Sequence, residues 1–212
     1  MYNPAIFEDR IDAGKKLARK ITKLRLDKPI VLAIPCGGVP VGIEIAQKLK
    51  CPLNLMILRK LQIPDNPEAG FGAVTADRTV ILNPEIVPYL GLGQKEIDSV
   101  IGMTVDEIKR REKVFGVKKY NLVDKEVILV DDGLASGYTM LAAVQSIRKQ
   151  KPKEIIIAIP TASAGAVQLI KPEVDRFICL YIHPSQLPFA VASYYKNWHY
   201  LEDDEVMCIL KR

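Results

Sequence analysis

The stretch "VILVDDGLASGYTM", residues 127–140, decides the fold. Val127 to Val130 are apolar without alternation, the pattern of a strand covered on both faces. Asp131 and Asp132 follow at its carboxyl end, where adjacent carboxylates repel one another unless they are solvated, paired or liganded. Gly133 to Thr139 then turn into a helical pattern through small residues and hydroxyls. Such a turn leaves backbone N–H groups available to a phosphate at the positive end of the helix. Ser136 and Thr139 add hydroxyl donors, and two neighbouring acids suit the vicinal diol of a ribose.

Further runs of the same kind lie on either side. "PIVLAIP" (29–35), "LNLMIL" (53–58), "IIIAIP" (155–160) and "FICLYI" (177–182) read as buried strands. "FEDRIDAGKKLARKITKL" (7–24), "VPVGIEIAQKLK" (39–50), "GYTMLAAVQSIRKQ" (137–150) and "ASAGAVQLIK" (162–171) carry apolar residues at helical spacing. This alternation predicts an α/β fold, a parallel sheet with helices on both faces. Residues 62–79, "QIPDNPEAGFGAVTADRT", read as a long loop with a short hairpin around 72–82, a candidate lid. Ile97, Val100, Ile101, Val105 and Ile108 predict one long amphipathic helix over 94–113. From residue 183 the chain turns aromatic and irregular, a small appended layer rather than another βα unit.

The chain has 212 residues, 49% of them hydrophobic and 26% charged, so one domain with its own core is expected. Cys36, Cys51, Cys179 and Cys208 form no C-x-x-C pair and have no histidine at zinc-finger spacing, which fits reduced thiols in a cytoplasm. "MYNPAIFEDR" lacks the pattern of a secretory leader, and no window approaches eighteen uninterrupted apolar residues, so no membrane association is expected. The net charge of +5 fits either a solvated basic surface, the more ordinary reading, or a polyanionic small ligand. Lys and Arg are scattered rather than gathered in a stripe with aromatics, and no helix-turn-helix is evident, so no nucleic-acid partner is expected.

The order and spacing of 127–140 resemble the phosphoribosyl pyrophosphate (PRPP) motif of type I phosphoribosyltransferases. The resemblance implies a Rossmann-like core over about 1–182, a flexible lid, and a small C-terminal hood over about 183–212 with a possible N-terminal contribution. It implies a glycosyltransferase of nucleotide salvage that moves the phosphoribosyl group of PRPP to a base or amine, with Mg²⁺, as a homodimer. Asp131 and Asp132 would hold the ribose hydroxyls and approach Mg²⁺ mostly through water. Ala135, Ser136, Gly137, Tyr138 and Thr139 would hold the 5′-phosphate.

"AIPCGGVPVG" (33–42) follows the first strand, and its glycine spacing is neither that of a dinucleotide fingerprint nor that of a Walker A loop. Gly37 and Gly38 read either as a tight strand–helix turn or as a close approach to a ligand. By resemblance this loop, Cys36 included, meets pyrophosphate through a non-proline cis peptide, which by position is Pro35–Cys36. Many relatives carry a basic residue where Cys36 stands.

Arg59 and Lys60, at the end of the second strand, could neutralise pyrophosphate. The resemblance there is to the basic strand end and catalytic loop of the orotate-type members. Purine-salvage relatives carry an Asp where this chain has Ala135, which argues against a hypoxanthine/guanine-type enzyme and leaves Glu68 as the acid nominated for general base. Trp198 and Tyr195 could stack on the acceptor, although such rings also serve as a layer's own core. A PRPP-binding sensor without turnover is the rival reading, since it needs the same motif.

Overall fold

The computed structural model describes residues 6–64, 66–184 and 188–211, and of residues 67–69 the backbone alone. In chain order the elements are α1 (Arg10–Ile21), β1 (Pro29–Ala33), α2 (Gly38–Leu49), β2 (Leu53–Leu55), β3 (Leu58–Ile63), β4 (Asn66–Thr75) and β5 (Val80–Leu82). There follow α3 (Gln94–Val114), β6 (Glu126–Val130), α4 (Tyr138–Arg148), β7 (Glu154–Ser163), α5 (Ala164–Ile170), β8 (Arg176–His183) and α6 (Asp203–Leu210).

Five strands form a parallel sheet in the order β2-β1-β6-β7-β8. Strand periodicity explains the non-alternating apolar runs. Val127 and Leu129 face Met140 and Ile147 of α4, whereas Ile128 and Val130 face Leu17 and Ile21 of α1 and Ile45 of α2. Both faces of the sheet are therefore buried, as two helical layers require. From β1 the chain crosses to β2 on one side and later returns to β6 on the other. The carboxyl ends of β1 and β6 thus flank the topological switch point, where open parallel sheets leave a crevice.

Glu126 fastens the opposite end of the sheet. Its carboxylate, almost fully buried, accepts hydrogen bonds from the N–H groups of Asp27 at 3.0 Å and Lys28 at 2.7 Å and from Lys153 Nζ at 2.7 Å. Burial by itself would push its pKa up, but Lys153 and the N–H of Lys28 more than offset that and hold it below the ordinary value. A depressed folded-state pKa means that the stabilisation is present above the unfolded value of about 4.3 and is lost as acid titrates the folded state. Glu126→Ala, which leaves two N–H groups unpaired, should therefore cost about 2 kcal/mol at pH 7. In urea titrations that difference should shrink towards zero below about pH 4.

Two expectations are corrected. "LNLMIL" is not one strand. β2 ends at Leu55, and after Met56–Ile57 the chain leaves the parallel sheet as β3. Residues 62–79 are not a long loop. β3 and β4 pair antiparallel with a register shift between Leu61 and Ile63, and β5 adds a third strand through the hairpin expected around 72–82. The physical reason is burial: Leu61, Phe71 and Val74 cluster with Ile97, Val105 and Ile108 of α3. That packing overrides the local Pro and Gly signals, which read as loop.

The layer after β8 contains helix α6 and is joined to the chain's beginning. Phe7 N–H donates to Tyr194 O at 3.0 Å, and Lys196 N–H donates to Phe7 O at 2.9 Å. Phe7, Tyr194 and Tyr195 are buried together, with Phe189 and Trp198 against them.

Candidate active site

Loops 34–37 and 131–137 leave β1 and β6 side by side. The peptide bond between Pro35 and Cys36 is cis, at the position the family resemblance implied. Gly38 begins α2 against the end of β6. A Cβ there would fall 2.6 Å from Val130 O and 2.9 Å from Asp131 Cα, too close for any side chain. The carboxylate of Asp132 lies over the neighbouring Gly37, where a Cβ would come within 1.9 Å of Oδ2. The two segments singled out from sequence thus form one surface.

Asp131 Oδ1 accepts from the Asp132 N–H at 2.8 Å. Burial pushes the carboxyl group of Asp131 well above the ordinary carboxylate range, and the charge of Asp132 adds to it. Asp132 is also raised by burial, against the opposing pull of Arg10. Two acids are held close together at a cost that a ligand carrying hydroxyls or a cation would relieve.

The loop that follows is tied to the end of β7. Leu134 N–H donates to Thr161 O and Ser163 N–H to Leu134 O, both at 2.9 Å, and the Ser163 hydroxyl donates to Ala135 O at 2.6 Å. Gly137, at φ +88°, supplies the left-handed residue that turns the chain into α4. Ala135 and Ser136 are exposed in front of Tyr138 and Thr139, the first residues of α4, whose N–H groups have no partner within the helix. Tyr138 Oη donates to Asn83 Oδ1 at 3.0 Å, which directs that side chain towards the β5 end rather than along the loop.

Arg59 and Lys60 do not end the second parallel strand. Both lie in β3, on opposite faces. Arg59 pairs with Glu107 of α3 at 3.0 Å, while Lys60 shares the face of Leu58, which packs in the α4 cluster. Arg59 lines a cavity of about 360 Å³ with Cys36, Glu107, Arg110, Arg111 and Asp203. Arg111 was not read from sequence. Its guanidinium reaches Asp203 with Nε at 3.1 Å and the Cys36 sulfur with Nη2 at 3.5 Å. Loop 34–38 carries no basic residue of its own, so α3 brings positive charge to it. Burial and the hydrogen bond to Asp203 push the Cys36 thiol up, so this cysteine is held in its neutral form.

Glu68 lies on β4, and its side chain is outside the described residues, as are residues 185–187 of the C-terminal layer and residues 1–5. Tyr195 does not offer a face for stacking. Its ring is buried between Phe7 and Trp198, and its hydroxyl donates to Asp132 O at 2.6 Å. Trp198 is half-buried, with the guanidinium of Arg10 3.9 Å above its ring.

Arg10 was also missed. Its Nε donates to Asp132 Oδ2 at 2.8 Å and its Nη1 to His199 O at 2.9 Å. A signal was present: Arg10, Ala13, Gly14 and Leu17 stand at the spacing of one buried helix face.

A family model described as a phosphoribosyl transferase domain matches residues 5–180. "Putative phosphoribosyl transferase Rv0571c" of Mycobacterium tuberculosis is 35% identical over 209 residues, which cover 98% of this chain and 47% of that protein. A uracil phosphoribosyltransferase of Mycoplasma genitalium is 33% identical over 109 residues, 44% of this chain and 52% of that protein. The chain spans about half the length of the curated relatives it matches. The crystal structure of TT1426 from Thermus thermophilus superposes with a TM-score of 0.78 at 32% identity, covering 96% of this chain and 97% of that one.

Proposed function

The chain belongs to the phosphoribosyl transferase family, and from that membership we propose that it transfers the 5-phosphoribosyl group of PRPP to a nitrogen of a base or amine. The observation that carries this reading is the junction of the two loops at the switch point, where Gly38 packs directly on Val130 and Asp131. A ligand seated there meets the acids, the 135–139 turn and the 35–38 loop at once.

In this reaction the bond from ribose C1 to the pyrophosphate oxygen breaks and a C1–N bond forms. The acceptor nitrogen's proton passes to solvent water, and pyrophosphate leaves with the bonding pair. Asp131 and Asp132 accept hydrogen bonds from the 2′ and 3′ hydroxyls. The N–H groups of Ala135 to Thr139 and the hydroxyls of Ser136 and Thr139 hold the 5′-phosphate, Tyr138 taking part through its main chain. Cys36 and Gly37 receive the pyrophosphate with their N–H groups, and Gly38, whose own N–H donates to Ile34 O at 3.0 Å, allows the close approach. Arg59 and Arg111, paired here with Glu107 and Asp203, would exchange those acids for the pyrophosphate. Trp198 remains the residue for stacking on a flat acceptor.

Among the described residues no group of three or more His, Cys, Asp or Glu is gathered to hold a metal ion. Two adjacent carboxylates suit Mg²⁺ bound mainly by donor oxygens and water, an ion that keeps several waters. Bound there, Mg²⁺ would neutralise charge on the leaving pyrophosphate.

The test is pyrophosphate release on mixing the protein, PRPP and Mg²⁺ with a panel of purines, pyrimidines and small amines. Release that depends on one acceptor is the expected result. Tight PRPP binding without release from any acceptor would instead favour a sensor, and no PRPP binding would remove the donor assignment.

A further inference from the structure

We propose that Arg10 is a positioning residue of the donor site, acting through Asp132 and tying that site to the aromatic layer made by the two chain ends. The proposal rests on the donor-site reading of Asp132.

Arg10 opens α1 and is 7% exposed. Its guanidinium meets Asp132 Oδ2 at 2.8 Å, His199 O at 2.9 Å and the Trp198 ring at 3.9 Å, with the Tyr195 ring at 5.9 Å. A buried charge of this kind is tolerated when it is paired and its remaining donors are satisfied. The ion pair also fixes what Asp132 can do. With Oδ2 engaged by Arg10 and the carboxylate seated over Gly37, the orientation in which Asp132 meets a sugar hydroxyl is set by Arg10. The main chain of the same residue is held from the other end of the protein by the Tyr195 hydroxyl. Asp132 is thus clamped by Arg10 from the start of the chain and by Tyr195 from near its end. Lysine cannot reproduce this arrangement, because its ammonium is a compact point charge with no plane to lay on an indole and no fork of separated donors.

The test is a double-mutant cycle on the full chain, comparing wild type, Arg10→Met, Asp132→Asn and the combined variant. PRPP affinity is measured by calorimetry with Mg²⁺, and folding by thermal unfolding. Removing one partner of a buried charge pair is expected to weaken PRPP binding by at least about 10-fold. Because Arg10 acts through Asp132, its loss should weaken binding less than about 3-fold further once Asp132 is already asparagine. Arg10→Lys should fall between wild type and Arg10→Met, and it serves in the same cycle if the methionine variant does not fold.

Trp198 is the only tryptophan in the sequence, so its emission reports the hood directly. PRPP should shift that emission in wild type and not in the folded Arg10 variants. Folded variants that bind PRPP within twofold of wild type, or losses that add fully across the cycle, would overturn the proposal. If wild type itself fails to bind PRPP, the donor-site reading fails and takes the proposal with it, a result distinct from failure of the Arg10 step alone.

Discussion

Replacing Asp131 and Asp132 together by asparagine is expected to lower PRPP affinity by at least about 100-fold in a chain that still folds. Each hydrogen bond to a charged acceptor is worth about 1.5–3 kcal/mol, and the reading gives each carboxylate a sugar hydroxyl. The amides keep the shape but lose the charge and bring donors that face donors. Stability should respond in the opposite sense at Asp131. Its folded-state pKa is raised by burial and by Asp132, so the ionised group opposes folding. The favourable contribution of the protonated form is full below the unfolded pKa of about 3.9 and is lost as pH rises through the higher folded value. Asp131→Asn alone, in buffer without Mg²⁺, should therefore be more stable than wild type at pH 7, and the two should converge below about pH 4. Calorimetry and urea titrations read both effects. Unchanged PRPP affinity in the folded double variant would end the donor assignment.

Gly38→Ala is expected to cost about 1–3 kcal/mol of stability, the range for overpacking, and to weaken PRPP binding together with it. The added methyl would meet Val130 O at 2.6 Å and Asp131 Cα at 2.9 Å, and backbone cannot rotate away as a side chain can. Relief requires the 35–38 loop to move off the end of β6, which separates the two halves of the proposed site. Gly102→Ala in α3 is the control. Nothing lies within 4 Å of its added Cβ, so a gain of up to about 1 kcal/mol is expected from helix propensity. Equal unfolding midpoints for Gly38→Ala and wild type would show that the loop is not held against the strand as described.

Legibility from sequence followed the range of the forces involved. Val127 to Val130 read as a strand because both of their faces are buried, and a run of four apolar residues records that locally. The 131–139 turn was legible because strand end, acids, Gly137 and helix start are consecutive. Of the three-stranded sheet only the hairpin around 72–82 was legible, because its first strand β3 and the rest of β4 become strand by packing Leu61 and Phe71 on Ile97, Val105 and Ile108 of α3, and the Pro and Gly of 62–71 do not carry that information. Arg59 and Lys60 looked like a pair, but an extended strand sends neighbours to opposite faces.

By itself, then, the sequence determined the parallel α/β core, the place of Asp131 and Asp132 at the end of a central strand, and the turn from them into the next helix. Each of these is written in contiguous residues whose periodicity or spacing has one physical reading. Only the tertiary structure decided what surrounds the acids. Arg10 reaches Asp132 across 122 positions of chain and Arg111 reaches Cys36 across 75, while Tyr195 turns from a stacking surface into a buried support. Such contacts depend on where the helices and the two chain ends are laid against the sheet, and that is set by the burial of their apolar faces rather than by any motif around the charged residues themselves.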